Sequence, residues 1–120
     1  MSVKQLAEAD LAGFTGSEHF YRHWMNKGVF TDGIKFVAET AGAFWLIDVV
    51  FSHQCAKKVR NEEFQIWELN VNDDHTAVVT MKGDSNRKPV VTQEIPYTDF
   101  PMKYIKMYFE NSCLCLPSER

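Results

Sequence analysis

The chain has no basic excess. Its formal net charge of −3 argues against a nonspecific nucleic-acid binder and is too small for a polyanion mimic of DNA. It also lacks an even set of cysteines: Cys55, Cys113 and Cys115 are three, and the last two are spaced i,i+2. On a strand that spacing puts both thiols on one face, a poor arrangement for an unstrained disulfide. No charged start followed by an apolar run marks a leader, so reduced thiols and a cytoplasmic location are expected. The most apolar stretch, Ala43 to Phe51, is interrupted by Asp48 and is far shorter than the ~20 residues of a membrane helix. There is no internal repeat, linker-like tract, HExxH or CxxC, and Gly13-x-x-Gly16 is too short for a nucleotide loop.

What is present is ordinary globular material. A length of 120 residues suits one domain, 1–120, large enough to bury about two-thirds of its unfolded surface without a disulfide or metal staple. Hydrophobic residues make up 45% and charged residues 24%, which excludes a disordered chain; nine Phe, four Tyr and three Trp supply core area.

Residues 3–12 place Val3, Leu6, Ala7 and Leu11 on one helical stripe, closed by Gly13 and Gly16. Residues 18–24 fit either period. Strand is favoured by the aromatics and by the Thr15-Gly16-Ser17 turn; a helix would instead stack His19 on His23. Thr31-Asp32-Gly33 starts a helix with Ile34, Val37, Ala38 and Ala41 on its buried stripe, ended by Gly42. A second, core-facing helix is expected over 43–58, with Lys57, Lys58 and Arg60 near its C-terminal end. The period then changes to two. Strands are expected at Phe64–Val71, Thr76–Lys82 and Val90–Tyr97, with polar turns between them, and Val91, Ile95 and Tyr97 sharing a face. Asp99 and Pro101 open a last helix with Met102, Ile105 and Phe109 as its stripe, and Cys113–Leu116 forms a short final strand. The expected class is α+β: an antiparallel meander of three to four strands with helices packed on one face.

Several segments carry a resemblance. Phe14-Thr15-Gly16-Ser17-Glu18-His19, Tyr21-Arg22-His23, Thr31-Asp32-Gly33, Ala43-Phe44-Trp45-Leu46-Ile47-Asp48, Tyr97-Thr98-Asp99-Phe100-Pro101 and Leu116-Pro117-Ser118-Glu119 resemble an uncharacterised family of small bacterial and mobile-element proteins, a domain of unknown function. The resemblance spans nearly the whole chain and implies homologues but no chemistry.

Each candidate for chemistry has a plainer explanation beside it. His19 and His23 could form a metal pair only on a helix, with Glu18 or His53 as a third ligand; a surface or structural pair is favoured, and neither metal nor cofactor is expected. Asp48 has Phe44, Trp45 and Phe51 as helical neighbours and either Arg22 or His23 as a candidate partner; a solvated polar edge of Asp48, Ser52 and Cys55 is favoured over that pair. Capping accounts for Thr31-Asp32 and Thr98-Asp99. Cys55 reads as a packed, inert thiol, since His53 at i−2 points elsewhere. Lys57, Lys58, Arg60, Arg87 and Lys88 with Phe64 and Trp67 could stack bases, but acidic turns and a solvated helix end suffice.

The expected function is a non-enzymatic accessory domain that binds another macromolecule, protein foremost, through an exposed sheet face or aromatic surface. The alternative is a small enzyme or ligand-binding domain with a cleft near Tyr21, Arg22, His23 and Asp48. Nucleic-acid binding ranks third. An Arg22–Asp48 pair tying the N-terminal segment to the core helix is a further expectation.

Overall fold

The computed structural model describes Leu6, residues 8–14 and residues 19–120. The chain runs α1 (Glu8–Ala12), β1 (Phe20–Arg22), β2 (Val29–Thr31), α2 (Asp32–Ala41), α3 (Phe44–His53), α4 (Lys57–Arg60), β3 (Phe64–Val71), β4 (Ala77–Lys82), β5 (Val91–Ile95), β6 (Tyr104–Glu110) and β7 (Cys113–Cys115), then a closing 3-10 turn at Pro117–Glu119. It is an α+β protein. Of the helix expected over 3–12, the part at Glu8–Ala12 is present, while residues 1–5, Ala7 and the Thr15-Gly16-Ser17 turn lie outside the described residues.

Helix α2 begins and ends as its sequence dictates. The Thr31 hydroxyl accepts the Ile34 amide hydrogen at 3.4 Å, and Gly42, at φ 63°, closes the helix in the left-handed region that glycine tolerates best. Ile34, Val37, Ala38 and Ala41 are buried, as the stripe requires. The helix expected over 43–58 is broken in two. Between α3 and α4 the chain turns so that Gln54 and Val59 both reach the interior, and Arg60 Nη1 closes the turn on the Cys55 carbonyl at 3.2 Å. Lys57, Lys58 and Arg60 therefore sit on α4 rather than at the end of a long helix. Cys55 lies in this turn and is exposed, which corrects its reading as a packed thiol.

The largest correction concerns the sheet. It has seven strands in the order β1-β2-β7-β6-β3-β4-β5, and it is mixed because β2 and β7 run parallel. The three-strand meander β3-β4-β5 is present, but the helix expected after Asp99 is strand β6, hydrogen-bonded between β3 and β7. Met102, Ile105 and Phe109 fit a helical stripe by spacing, yet Ile105, Met107 and Phe109 fit a strand equally well, and all three are buried. Thr98 caps no helix. Its hydroxyl accepts the Phe100 amide hydrogen at 3.1 Å within a loop. Tyr97, expected beside Val91 and Ile95, lies past the end of β5 and is 67% exposed.

One sheet face carries Phe30, Leu114, Phe109, Met107, Ile105, Trp67, Leu69, Val79, Met81 and Val91 in register across the strands, all of them buried. Helix α3 packs on this face. The Phe51 ring meets Phe109 edge-on at 5.5 Å, and His53 Nε2 lies 2.6 Å from Gln93 Oε1. The opposite face of β3, β4 and β6 is the more polar one, with Glu68 paired to Lys82 at 3.4 Å, although Ile66 on it is buried. No helix among the described residues is long and apolar enough to cross a membrane.

Two measurements test this packing. Ile47 is buried on the sheet-facing side of α3, so Ile47→Ala should lower stability by about 2–5 kcal/mol in denaturant titration; an unchanged midpoint contradicts the orientation of α3. The three cysteines are free. Burial pushes the Cys115 thiol up to about 11 and also raises Cys113, so both stay protonated at pH 8, where the thiolate is the reacting form. Iodoacetamide at pH 8 should therefore modify Cys55 well before either, and equal rates at all three would count against the β7 placement.

Candidate functional site

Strand β1 separates its side chains as alternation requires: Phe20 and Arg22 face outward, Tyr21 and His23 inward. Residues 20–22 thus form the strand favoured for this segment. Tyr21 stacks on Phe30, and its hydroxyl donates to Asp32 Oδ1 at 2.9 Å. Accepting that hydrogen, the Asp32 carboxylate raises the Tyr21 phenol above its ordinary range, so the hydroxyl stays protonated.

His23 is 4% exposed, and its ring lies parallel to Phe51 at 4.3 Å. The Met25 amide donates to His23 Nδ1 at 3.2 Å, which places the ring proton on Nε2, and Nε2 donates to Asp48 Oδ1 at 2.6 Å. The Trp24 indole N–H donates to the same oxygen at 2.9 Å. Asp48 thus ties the turn after β1 to helix α3. Trp24 is nevertheless 74% exposed, and Phe44, one helical turn before Asp48, is 48% exposed. The result is an exposed indole bonded to a carboxylate anchored from below, with a second exposed aromatic one helical turn away.

The four residues singled out from sequence do not converge on one cleft. His23 and Asp48 are brought together, Tyr21 is paired with Asp32, and Arg22 bonds Asn26 Oδ1 at 2.8 Å on the outer face. The expected Arg22–Asp48 pair is therefore replaced by His23–Asp48, because alternation sends Arg22 away from the core helix. Asp48 is not a plain solvated edge either, although Ser52 and Cys55 beyond it are exposed. His19 and His23 diverge, His19 lying 3.6 Å from Asp32. Among the described residues no three His, Cys, Asp or Glu side chains gather where they could hold a metal ion. With both ring nitrogens of His23 engaged inside the protein, the His–Asp pair works as a strut. Four surface clefts of 330 to 490 Å³ are lined by other residues.

Under the 490 Å³ cleft, Gln54 and Gln65 bond each other reciprocally, and the Trp67 indole donates to Gln65 Oε1 at 2.9 Å. This network is closed and buried, which also removes the Trp67 ring from any base-stacking role. Arg87 makes a bidentate pair with Glu62 at 3.0 Å. Trp24 was the residue that sequence reasoning passed over. A tryptophan opening a polar Asn26-Lys27-Gly28 turn has no core face to occupy, and that was the available signal.

Removing the Asp48 carboxylate should leave the buried His23 Nε2–H without an acceptor. Asp48→Ala is expected to lower stability by about 1–3 kcal/mol, while Arg22→Ala should change it by less than about 0.5 kcal/mol. Chemical denaturation of the two variants checks this, and the reverse order would restore the arginine pairing.

No curated protein and no solved structure matches the chain. Residues 5–120 do match one family, described as a family of unknown function (DUF6876). The segments that meet in this structure, Tyr21-Arg22-His23 with Asp48 and Thr31-Asp32-Gly33 with Glu119, all fall inside that span. The chain belongs to the family of unknown function DUF6876.

Proposed function

We propose that this protein is a non-enzymatic accessory domain that binds another protein chain through the surface formed by Trp24 and Phe44. The observation that carries this is the state of Trp24: an indole largely open to water whose N–H is fixed by Asp48. Exposed tryptophans dominate the binding energy of many interfaces, and one held in place loses little rotamer freedom on docking. Asp48 is itself held by His23, which is stacked on Phe51 in the core, so the anchor is prepared before a partner arrives. Three free thiols suit a reducing compartment, and we place the interaction in the cytoplasm.

The test compares affinity capture by the unaltered chain, Trp24→Ala and Tyr97→Ala, followed by calorimetry on the purified pair. Tyr97 is the control because it is a comparably exposed aromatic outside this surface. The expected result is one partner retained by the first and third proteins and weakened at least about 10-fold by Trp24→Ala, with its thermal midpoint preserved. Finding no partner that depends on Trp24 overturns the proposal. Self-association that disappears in Trp24→Ala would name a second copy as the occupant and overturn it equally.

A further inference from the structure

We infer that the partner presents a lysine or arginine side chain to the corner between Trp24 and Asp48. This rests on the protein-binding reading above and adds the chemistry of the occupant.

The argument begins with the electrostatics of Asp48. Its Oδ1 receives both the His23 and the Trp24 hydrogen bonds, while Oδ2 accepts none among the described residues. The side chain is 44% exposed. Among the described residues His23 is its one ion-pair neighbour, and with Nδ1 accepting the Met25 hydrogen that ring contributes a dipole and no formal charge. The carboxylate therefore keeps a negative charge and an open oxygen at the surface. The two cations nearest Trp24 in sequence lie elsewhere. Arg22 is bonded to Asn26 on the outer face, and Lys27 lines the cleft with Phe109, Asn111 and Ser112.

The exposed Trp24 indole is bonded to the same carboxylate, and Phe44 lies exposed one helical turn before it on α3. An indole face is the best aromatic acceptor for a cation, and a carboxylate at its edge supplies the countercharge. An ammonium or guanidinium group would meet both, while its methylene stem covers the aromatic surface. A neutral or acidic side chain would leave Asp48 desolvated without a partner, which is costly. A second copy fits less well. It would bring the same uncompensated carboxylate on a chain of net charge −3, so like charges would approach across the contact.

The experiment uses the whole ¹⁵N-labelled protein and three blocked peptides: acetyl-Leu-Arg-Leu-amide, its citrulline analogue and acetyl-Leu-Glu-Leu-amide. The Trp24 indole N–H resonance, assigned by its loss in Trp24→Phe, is the readout. The arginine peptide should shift it saturably and bind at least about 5-fold more tightly than the nearly isosteric citrulline peptide, with the advantage shrinking as salt is raised. The glutamate peptide should bind most weakly. Asp48→Asn keeps an oxygen to accept the His23 and Trp24 bonds and should abolish the arginine preference. Equal binding of the arginine and citrulline peptides, no saturable shift with arginine, or a preference that survives in Asp48→Asn would each overturn the inference. Should Asp48→Asn fail to fold, the arginine–citrulline comparison on the unaltered protein still decides. Such a failure leaves the protein-binding reading standing, since that falls only on the Trp24→Ala and Tyr97→Ala comparison.

Discussion

Strand β6 holds the sheet together, and its register with β3 is the constraint on which the other strands depend. Trp67 pairs with Met107, Leu69 with Ile105 and Gln65 with Phe109. Slipping this pairing by one residue would carry Ile105, Met107 and Phe109 from the core to the polar face. The turn beyond β6 places the next strand. Asn111 and Ser112 take φ of 54° and 58°, as a two-residue hairpin of type I′ needs, and so lay β7 directly back along β6. Leu114 then arrives opposite Phe30, and β7 joins β2 in parallel. The short N-terminal hairpin β1–β2 is thereby attached to the sheet through the last strand of the chain.

That attachment brings the C-terminal segment onto helix α2. The Glu119 carboxylate accepts hydrogens from the Thr31 hydroxyl at 2.6 Å, the Gly33 amide at 3.1 Å and the Leu116 amide at 3.0 Å. A carboxylate suits a helix N-terminus, where the first amides lack intrahelical partners and the dipole favours negative charge. It comes so close that a Cβ on residue 33 would lie 2.5 Å from Glu119 Oε1, so any side chain there would have to displace this carboxylate. Ser118 also donates to the Leu11 carbonyl at 3.0 Å, so the same turn holds α1.

The Trp24 corner depends on this arrangement at one remove. With β1 and β2 held against β7, His23 is carried under helix α3 and stacks on Phe51, whose other contact is Phe109 of β6. A buried imidazole with two polar nitrogens is stable there only because Met25 and Asp48 satisfy both. The surface that the core supports is therefore rigid, aromatic and acidic at one point. Those properties are what the proposed cation-bearing partner would meet.

Much of this was legible in the sequence where the deciding forces are local. The Thr31 cap and Gly42 bounded α2 because capping acts within one helical turn, and Trp67, Leu69 and Val71 at every second position before the polar turn at 72–75 marked β3. Alternation in residues 20–22 likewise separated Arg22 from Tyr21 and His23. Residues 104–110 were not legible in the same way: their second face carries Tyr104 and Tyr108 beside Lys106, blurring the contrast that distinguishes a period of two from 3.6. The sequence by itself therefore determined the α+β class, the meander β3-β4-β5 and helix α2, each set by spacing over a few residues. Only the tertiary structure decided the parallel β2–β7 pair, the Glu119 contact with α2 and the choice of His23 over Arg22 for Asp48, because those partners lie 25 to 88 positions apart, and contacts at that separation form only once the whole sheet has closed around them.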